Sequence, residues 1–139
     1  MIVLDTNVLS EAIRPMPSRR VLEWLAVQPA SGLFTTTVSE AEFLYGLALL
    51  PTGKRRTSLE AAARRMFDDD FAQRVLPFDR AAATAFALIA AVRRKKGRPI
   101  SEFDAQIAAI ARIHGAAVAT RNVDDFRDCG IEVIDPWAL

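Results

Sequence analysis

The chain of 139 residues has little of several features that mark particular classes of protein. It has one cysteine, Cys129, so no intrachain disulfide can form, which is consistent with a reducing cytoplasm. No segment reaches the run of about 18 apolar residues that a membrane span requires. The N-terminal MIVLDTN has no basic region followed by an apolar stretch, so it does not resemble a signal peptide. We therefore expect a cytoplasmic protein with no membrane partner.

The net charge and the histidine content are also low. The net charge is +1 at pH 7, so composition alone does not indicate a nucleic-acid partner. His114 is the only histidine, and because it precedes Gly115 at a predicted helix end, we expect it to cap that helix. A reaction centre in this chain would therefore have no histidine general base, which leaves the activation of water to a metal.

The apolar pattern predicts one α/β domain over residues 1–139. Hydrophobic residues make up 51% of the chain, enough to form a core without disulfides. Short apolar strands alternate with helical segments, which predicts a mostly parallel sheet covered on both faces. The predicted strands are 2–4, 33–37, 74–78, 116–120 and 131–134, and the predicted helices are 7–14, 18–28, 38–50, 55–72, 79–95 and 102–114.

Four short motifs place a carboxylate beside a predicted strand end or helix start. They are IVLDTN, TVSEAEFLYG, ISEFDAQIA and ATRNVDDF, which contribute Asp5, Glu42, Asp104, and Asp124 with Asp125. Three of the motifs fall at the carboxyl ends of strands, where open parallel sheets bind ligands. Asp104 joins them only if its helix begins at the same edge.

Carboxylates gathered at one place repel one another. Two unit charges about 5 Å apart cost about 3 kcal/mol at an effective dielectric near 20. A fold retains such a cluster if a cation neutralises it or if some members stay protonated. Ligands that are all oxygen suit a hard divalent cation such as Mg²⁺.

The same residues also have a purely structural interpretation. Three of the carboxylates lie three positions after a Ser or Asn, the spacing of a helix-capping pair: Ser39 and Glu42, Ser101 and Asp104, Asn122 and Asp125. Taken singly, each of these fits capping better than catalysis. Asp5 fits capping less well, because Thr6 and Asn7 follow it and could cap the next helix themselves. The convergence of four motifs on one sheet edge favours a functional site.

In this order, the four motifs resemble those of the PIN-domain ribonucleases. Within that family the chain looks like the VapC toxins of bacterial type II toxin–antitoxin pairs, in the branch that includes FitB. The similarity covers nearly the whole chain, from LDTNVLSE through VSEAEFLYGL and FDAQIAAIA to ATRNVDDF. It implies a three-layer α/β/α fold and an endoribonuclease that depends on Mg²⁺ or Mn²⁺. It also implies a homodimer, inhibition by a small VapB-like antitoxin, and a higher assembly on DNA through that antitoxin.

Carried over position by position, the resemblance implies an acidic catalytic site made of Asp5, Glu42, Asp104 and Asp125. Asp5 and Asp104 would hold the metal, directly or through its waters. Many relatives have an aspartate where this chain has Asn122, so the fourth acidic role lies between Asp124 and Asp125, and Asp125 is preferred. Supporting polar contacts would come from Thr6, Asn122 and Asp124.

A dense basic run precedes the Asp104 motif and consists of Arg93, Arg94, Lys95, Lys96 and Arg98. Such a run could bind the phosphates of an RNA substrate near the metal. It could equally be a solvated helix C-terminus, where cations suit the helix dipole. The sequence favours neither interpretation.

Two other functions share some of these features. A receiver-like phosphoacceptor domain also has a parallel sheet, acidic strand ends and Mg²⁺, but it requires a lysine after a late strand. Here the late strand AAVAT is followed by Arg121. The second alternative is a non-catalytic regulatory module of the same fold, which the presence of all the main acidic positions disfavours.

Overall fold

In the computed structural model, which describes residues 1–139, five short strands alternate with six α-helices. The strands are β1 (Ile2–Leu4), β2 (Leu33–Thr36), β3 (Val75–Leu76), β4 (Ala117–Ala119) and β5 (Val133–Ile134). The helices are α1 (Thr6–Ala12), α2 (Arg19–Ala26), α3 (Thr37–Ala48), α4 (Lys54–Arg65), α5 (Arg80–Lys95) and α6 (Glu102–Ile113). None of the helices has the length and apolar content needed to cross a membrane.

The strands form one sheet in the order β3-β2-β1-β4-β5, and every neighbouring pair is parallel. After β1, the chain adds β2 and then β3 on one side of it. It then crosses to the other side of β1 and adds β4 and β5. Such a reversal opens a crevice between the carboxyl ends of the two central strands, the usual ligand site of open α/β sheets. Leu4 pairs with Ala119, so the next residues, Asp5 and Thr120, leave the sheet side by side.

Each face of the sheet has its own hydrophobic cluster, because successive strand residues point to opposite faces. Val3 packs into the cluster formed mainly by α5 and α6, which contains Ile89 and Ile107. Leu4 packs into the other cluster, which α1, α2, α3 and α4 cover and which contains Phe43. The predicted three-layer α/β/α fold with a five-stranded parallel sheet is therefore confirmed.

The predicted elements all form, but some of their ends differ. The helix predicted over 55–72 is α4 followed by a π-helical turn, Met66–Asp70, in which the Phe71 N–H donates to the Met66 carbonyl at 2.9 Å. The third strand is shorter than the predicted 74–78. Asp79 ends this segment because its side chain accepts from the Ala82 N–H and so caps α5.

Candidate active site

Asp5 follows β1 directly and is almost fully buried, with 5% of its surface exposed. One carboxylate oxygen, Oδ1, accepts from the Thr6 N–H at 2.8 Å, so Asp5 caps α1. The other, Oδ2, accepts from the Thr120 hydroxyl at 2.8 Å. The expectation that Thr6 or Asn7 would cap this helix is therefore wrong. Asp5 itself has the extended backbone of an N-cap and also keeps an oxygen directed at the sheet edge.

Two polar residues that sequence reasoning missed fix the Asp5 carboxylate. Thr120, at the end of β4, is completely buried, and its hydroxyl oxygen accepts from the Asn122 N–H at 3.0 Å. The Asn7 side-chain amide lies 3.3 Å from both Asp5 Oδ2 and the Thr120 hydroxyl. Only the parallel pairing of β1 with β4 brings Thr120 to this position, and that pairing is not visible as a local sequence pattern.

Glu42 projects from the second turn of α3. The predicted capping pair of Ser39 and Glu42 is wrong, because α3 begins earlier and Thr36 caps it by accepting from the Ser39 N–H at 3.0 Å. The Ser39 hydroxyl is buried and has no hydrogen-bond partner. Glu42 is therefore not used as a cap, and its Oε1 accepts from the Thr6 hydroxyl at 3.0 Å. Thr6 thus supports Glu42 with its side chain and Asp5 with its backbone.

Asp104 lies in the first turn of α6. The Ser101 hydroxyl caps this helix by accepting from the Asp104 N–H at 3.2 Å, so the capping role of Ser101 is confirmed. That bond uses the Asp104 backbone and not its carboxylate. The half-buried Asp104 side chain lines the same cleft as Asp5 and Glu42. The condition that α6 begins at the same sheet edge is therefore met.

The three carboxylates share one cleft of about 440 Å³. Burial, and then the charge of Asp125, raise the pKa of Asp5 above its usual value. Burial also raises the pKa of Glu42, and the charges of Asp5 and Asp104 add to that effect. The pKa of Asp104 rises from burial first and then from Asp5 and Asp125. Residues from distant parts of the chain therefore form one electrostatically coupled cluster.

The two candidates for the fourth acid differ in their surroundings. Asp125 is solvent-exposed, but its charge raises the pKa of both Asp5 and Asp104, so it acts on the cleft. The Asp124 side chain is 84% exposed and pairs with Arg127 at 2.6 Å. Asn122 lines the cleft, and its side chain does not cap the 3-10 turn Val123–Phe126. This arrangement favours Asp125.

The basic run is divided by the structure. Arg93 is buried, with 5% exposure, and its Nη1 donates to the carbonyls of Asp125 and Arg127 at 2.7 and 3.0 Å. Its Nε donates to the Arg98 carbonyl at 2.8 Å. The expectation that Arg93 binds RNA is therefore corrected, because Nη1 is used by the loop that carries Asp125 and Nε by the segment after α5.

The rest of the run is accessible. Lys96 lies 3.4 Å from Asp128, and Arg98 pairs with the other oxygen of the same carboxylate. Arg94 and Lys95 are exposed in the last turn of α5. These four cations lie beside the loop that Arg93 holds.

The carboxylates in the cleft fit a hard divalent cation. Asp5, Glu42 and Asp104 line it, and neither histidine nor cysteine does. The Asn7 amide and the Thr120 hydroxyl donate hydrogen bonds to Asp5 and so orient it. No group of three His, Cys, Asp or Glu side chains has the geometry to ligate an ion directly. Mg²⁺ is commonly held by only one or two carboxylates while it keeps several waters, and such binding does not require three side-chain ligands. A bound cation would also relieve the repulsion that, after burial, raises the three pKa values.

The fold and the cleft together define an α/β/α domain with an acidic, oxygen-lined site at the switch point of a parallel sheet. The family model of the PIN domain matches residues 2–131, and the chain belongs to the PIN-domain family. The resemblance seen in the motifs is thereby confirmed, and the receiver-like alternative is excluded.

Curated relatives match over almost their full length. The chain is 42% identical over 137 residues to the plasmid stability protein StbB of Pseudomonas syringae pv. tomato, covering 99% of both. It is 41% identical over 137 residues to the VapC ribonuclease Y4jK of Sinorhizobium fredii, covering 99% of this chain and 98% of that one. Identity to the toxin FitB of Neisseria gonorrhoeae is 37% over 137 residues, with 99% of each chain covered.

Solved structures give the same result for the fold. The structure of FitAB bound to an IR36 DNA fragment matches with a TM-score of 0.90 and 38% identity, covering 100% of this chain and 97% of that one. VapBC-5 of Mycobacterium tuberculosis, a member of the VapBC family of toxin–antitoxin systems, matches with a TM-score of 0.69 and 27% identity, covering 95% of each chain.

Proposed function

We propose that this PIN-domain protein is the endoribonuclease toxin of a toxin–antitoxin pair and that it hydrolyses RNA phosphodiester bonds in the acidic cleft. The observation that carries the proposal is the convergence of Asp5, Glu42 and Asp104 in one cleft where burial and mutual repulsion raise all three pKa values. The similarity to proteins named VapC ribonuclease and toxin FitB supports it.

Asp5 and Asp104 would hold Mg²⁺ or Mn²⁺, directly or through its waters. When bound, such an ion supplies Lewis-acid stabilisation of the phosphoryl oxygens and lowers the pKa of a coordinated water. Thr120 and Asn7 orient Asp5, so this carboxylate is set in place before substrate arrives.

Glu42 and Asp125 complete the acidic pocket. The Thr6 hydroxyl fixes the Glu42 carboxylate. In this position Glu42 accepts a hydrogen bond from the attacking water and orients it toward phosphorus. Asp125, on the loop that Arg93 anchors, adds negative charge that acts on Asp5 and Asp104.

The exposed cations at the end of α5 would attract the RNA backbone. Arg94 and Lys95 have no acidic partner within ion-pair distance, whereas Lys96 and Arg98 share Asp128. Arg93 is left out of this surface because it is buried. Neutralising Arg94 and Lys95 should therefore weaken RNA binding and flatten its salt dependence.

The partner that fits this function is a small VapB-like antitoxin that inhibits the cleft in the cytoplasm. Similarity to FitAB bound to a DNA fragment supports a higher assembly on DNA through that antitoxin. A homodimer of the toxin is part of the same proposal.

The test is cleavage of bacterial total RNA by the purified chain with Mg²⁺, with Mn²⁺ and with EDTA. We expect cleavage with either metal, none with EDTA, and a loss of about a hundredfold or more in Asp104→Asn, because a metal-holding carboxylate is removed. Asp69→Asn, an exposed carboxylate on the π-helical turn, is the matched control and should cleave normally. Metal-independent cleavage, or full activity in a folded Asp104→Asn protein, would refute the proposal.

A further inference from the structure

The cleft that holds the acids also has a positively charged end. Arg14 and Arg121 line it together with Trp137, and both arginines are exposed to solvent. Neither belongs to the basic run at the end of α5. The same cavity therefore contains the acidic pocket and a cationic wall, which consists of Arg14 and Arg121.

Glu11, a buried residue of α1, contacts the Arg14 side of the cationic wall. Its carboxylate accepts from the Ser18 N–H at 2.9 Å and from Arg14 Nη1 at 2.9 Å. The Ser18 hydrogen bond, followed by the Arg14 interactions and the charge of Arg121, holds the pKa of Glu11 below its usual value. Glu11 thus pairs with Arg14 alone, and Arg121, which affects it only through its charge, has no acidic partner within ion-pair distance.

Arg121 is oriented by its own contacts. Its guanidinium lies over the Trp137 ring, 5.2 Å from the ring centre. Its backbone N–H donates to the Asn7 side-chain oxygen at 3.3 Å, which fixes the start of the loop after β4. Trp137 packs on the other side against the hydrophobic cluster that contains Leu4. A guanidinium held over an indole ring loses little freedom when it binds a ligand, and it keeps its N–H donors for a phosphate.

We propose that Arg14 and Arg121 form a binding site for a backbone phosphate of single-stranded RNA, next to the phosphate that is cleaved at the acidic pocket. This inference rests on the proposed ribonuclease function and adds to it a second contact point for the substrate. The phosphate bridges the two guanidinium groups, each of which supplies charge-assisted hydrogen bonds. Such a contact positions the strand and is independent of base identity.

The shape of the cavity favours this ligand. The metal-binding carboxylates and the arginines line one continuous cleft, so an extended strand that places one phosphate at the acids has its neighbours close to the arginines. The Arg14 side chain is 60% exposed even while paired with Glu11, so a phosphate can reach its free donors.

The test measures how salt affects the binding of a labelled, mixed-sequence single-stranded oligoribonucleotide to the cleavage-impaired Asp104→Asn protein. In that background we expect Arg14→Gln and Arg121→Gln each to weaken binding about tenfold at low salt. Each should also lower the slope of log affinity against log salt by about 0.7, as expected for one lost phosphate contact on a single strand. Arg65→Gln, on the exposed side of α4, removes the same charge elsewhere and should change neither quantity.

One further variant sharpens the result. Arg121→Lys keeps the charge but not the planar guanidinium over the Trp137 ring, so it should retain the slope and lose part of the affinity. Unchanged affinity and slope in both glutamine variants, or an equal loss in Arg65→Gln, would overturn the inference. Cleavage by the wild-type chain, assayed in parallel, tests the nuclease function separately, and it can remain metal-dependent while the phosphate site fails.

Discussion

Replacing Thr120 by valine removes one oxygen from the centre of the site and leaves the side-chain volume almost unchanged. The lost hydroxyl is completely buried and donates to Asp5 Oδ2 at 2.8 Å. A hydrogen bond to a charged group contributes about 1.5–3 kcal/mol. The Asn122 N–H donates to the Thr120 hydroxyl oxygen, so it loses its acceptor as well. We therefore expect Thr120→Val to lower the free energy of unfolding by about 3 kcal/mol at pH 8.

The measurement is urea unfolding of the wild-type and variant chains with equal Mg²⁺. The midpoint should fall with the slope unchanged, and the melting temperature should drop by about 10 °C. RNA cleavage should fall about tenfold or more, because the Asp5 carboxylate loses the group that orients it. Thr120→Ser is the matched control: it keeps the hydroxyl, loses one buried methyl group, and should cost only about 1 kcal/mol. A Thr120→Val protein within about 0.5 kcal/mol of wild type would refute the role assigned to this hydroxyl.

Two further predictions concern charge. In EDTA, the unfolding free energy should fall as the pH rises from the usual pKa values of Asp5, Glu42 and Asp104 through their raised pKa values, because the folded chain holds extra protons in that range. Glu11 acts in the opposite direction, but only below the usual glutamate pKa of 4.5, so it does not mask the trend above that pH, and Mg²⁺ should reduce the decline; a flat profile above pH 4.5 would contradict this. Arg93→Met should lower the unfolding free energy by about 3 kcal/mol in urea titrations, since three carbonyls lose a buried donor; a loss below about 1 kcal/mol would show that the loop does not depend on Arg93.

The sequence predicts the order of strands and helices because each element has its own local signal. The apolar triplet 2–4 ends sharply at Asp5, and Ser101 begins α6 at the expected place. The motifs also indicate the sheet edge, because a carboxylate that directly follows a buried strand lies at the carboxyl end of that strand. Asp5, Glu42 and Asp104 are therefore found together, as predicted.

The features that the sequence could not predict depend on contacts between distant segments. Thr120 reaches Asp5 only through the pairing of β1 with β4, which local patterns do not encode. In the sequence, Arg93 is one of several cations in a run that is predicted to be exposed. It is buried because the loop after β4 crosses the end of α5. The capping residue of α3 differs from the predicted Ser39 because Thr36 and Ser39 both suit an N-cap, and Thr36 lies where the strand ends.

We propose that carboxylates from separate segments form one divalent-cation site, and a calorimetric titration of Mn²⁺ into the wild-type, Asp5→Asn, Asp104→Asn and Asp69→Asn chains tests this. We expect one site in the wild-type and Asp69→Asn proteins and a strongly weakened site in the other two. Equal Mn²⁺ affinity in all four folded proteins would show that these carboxylates do not bind the ion.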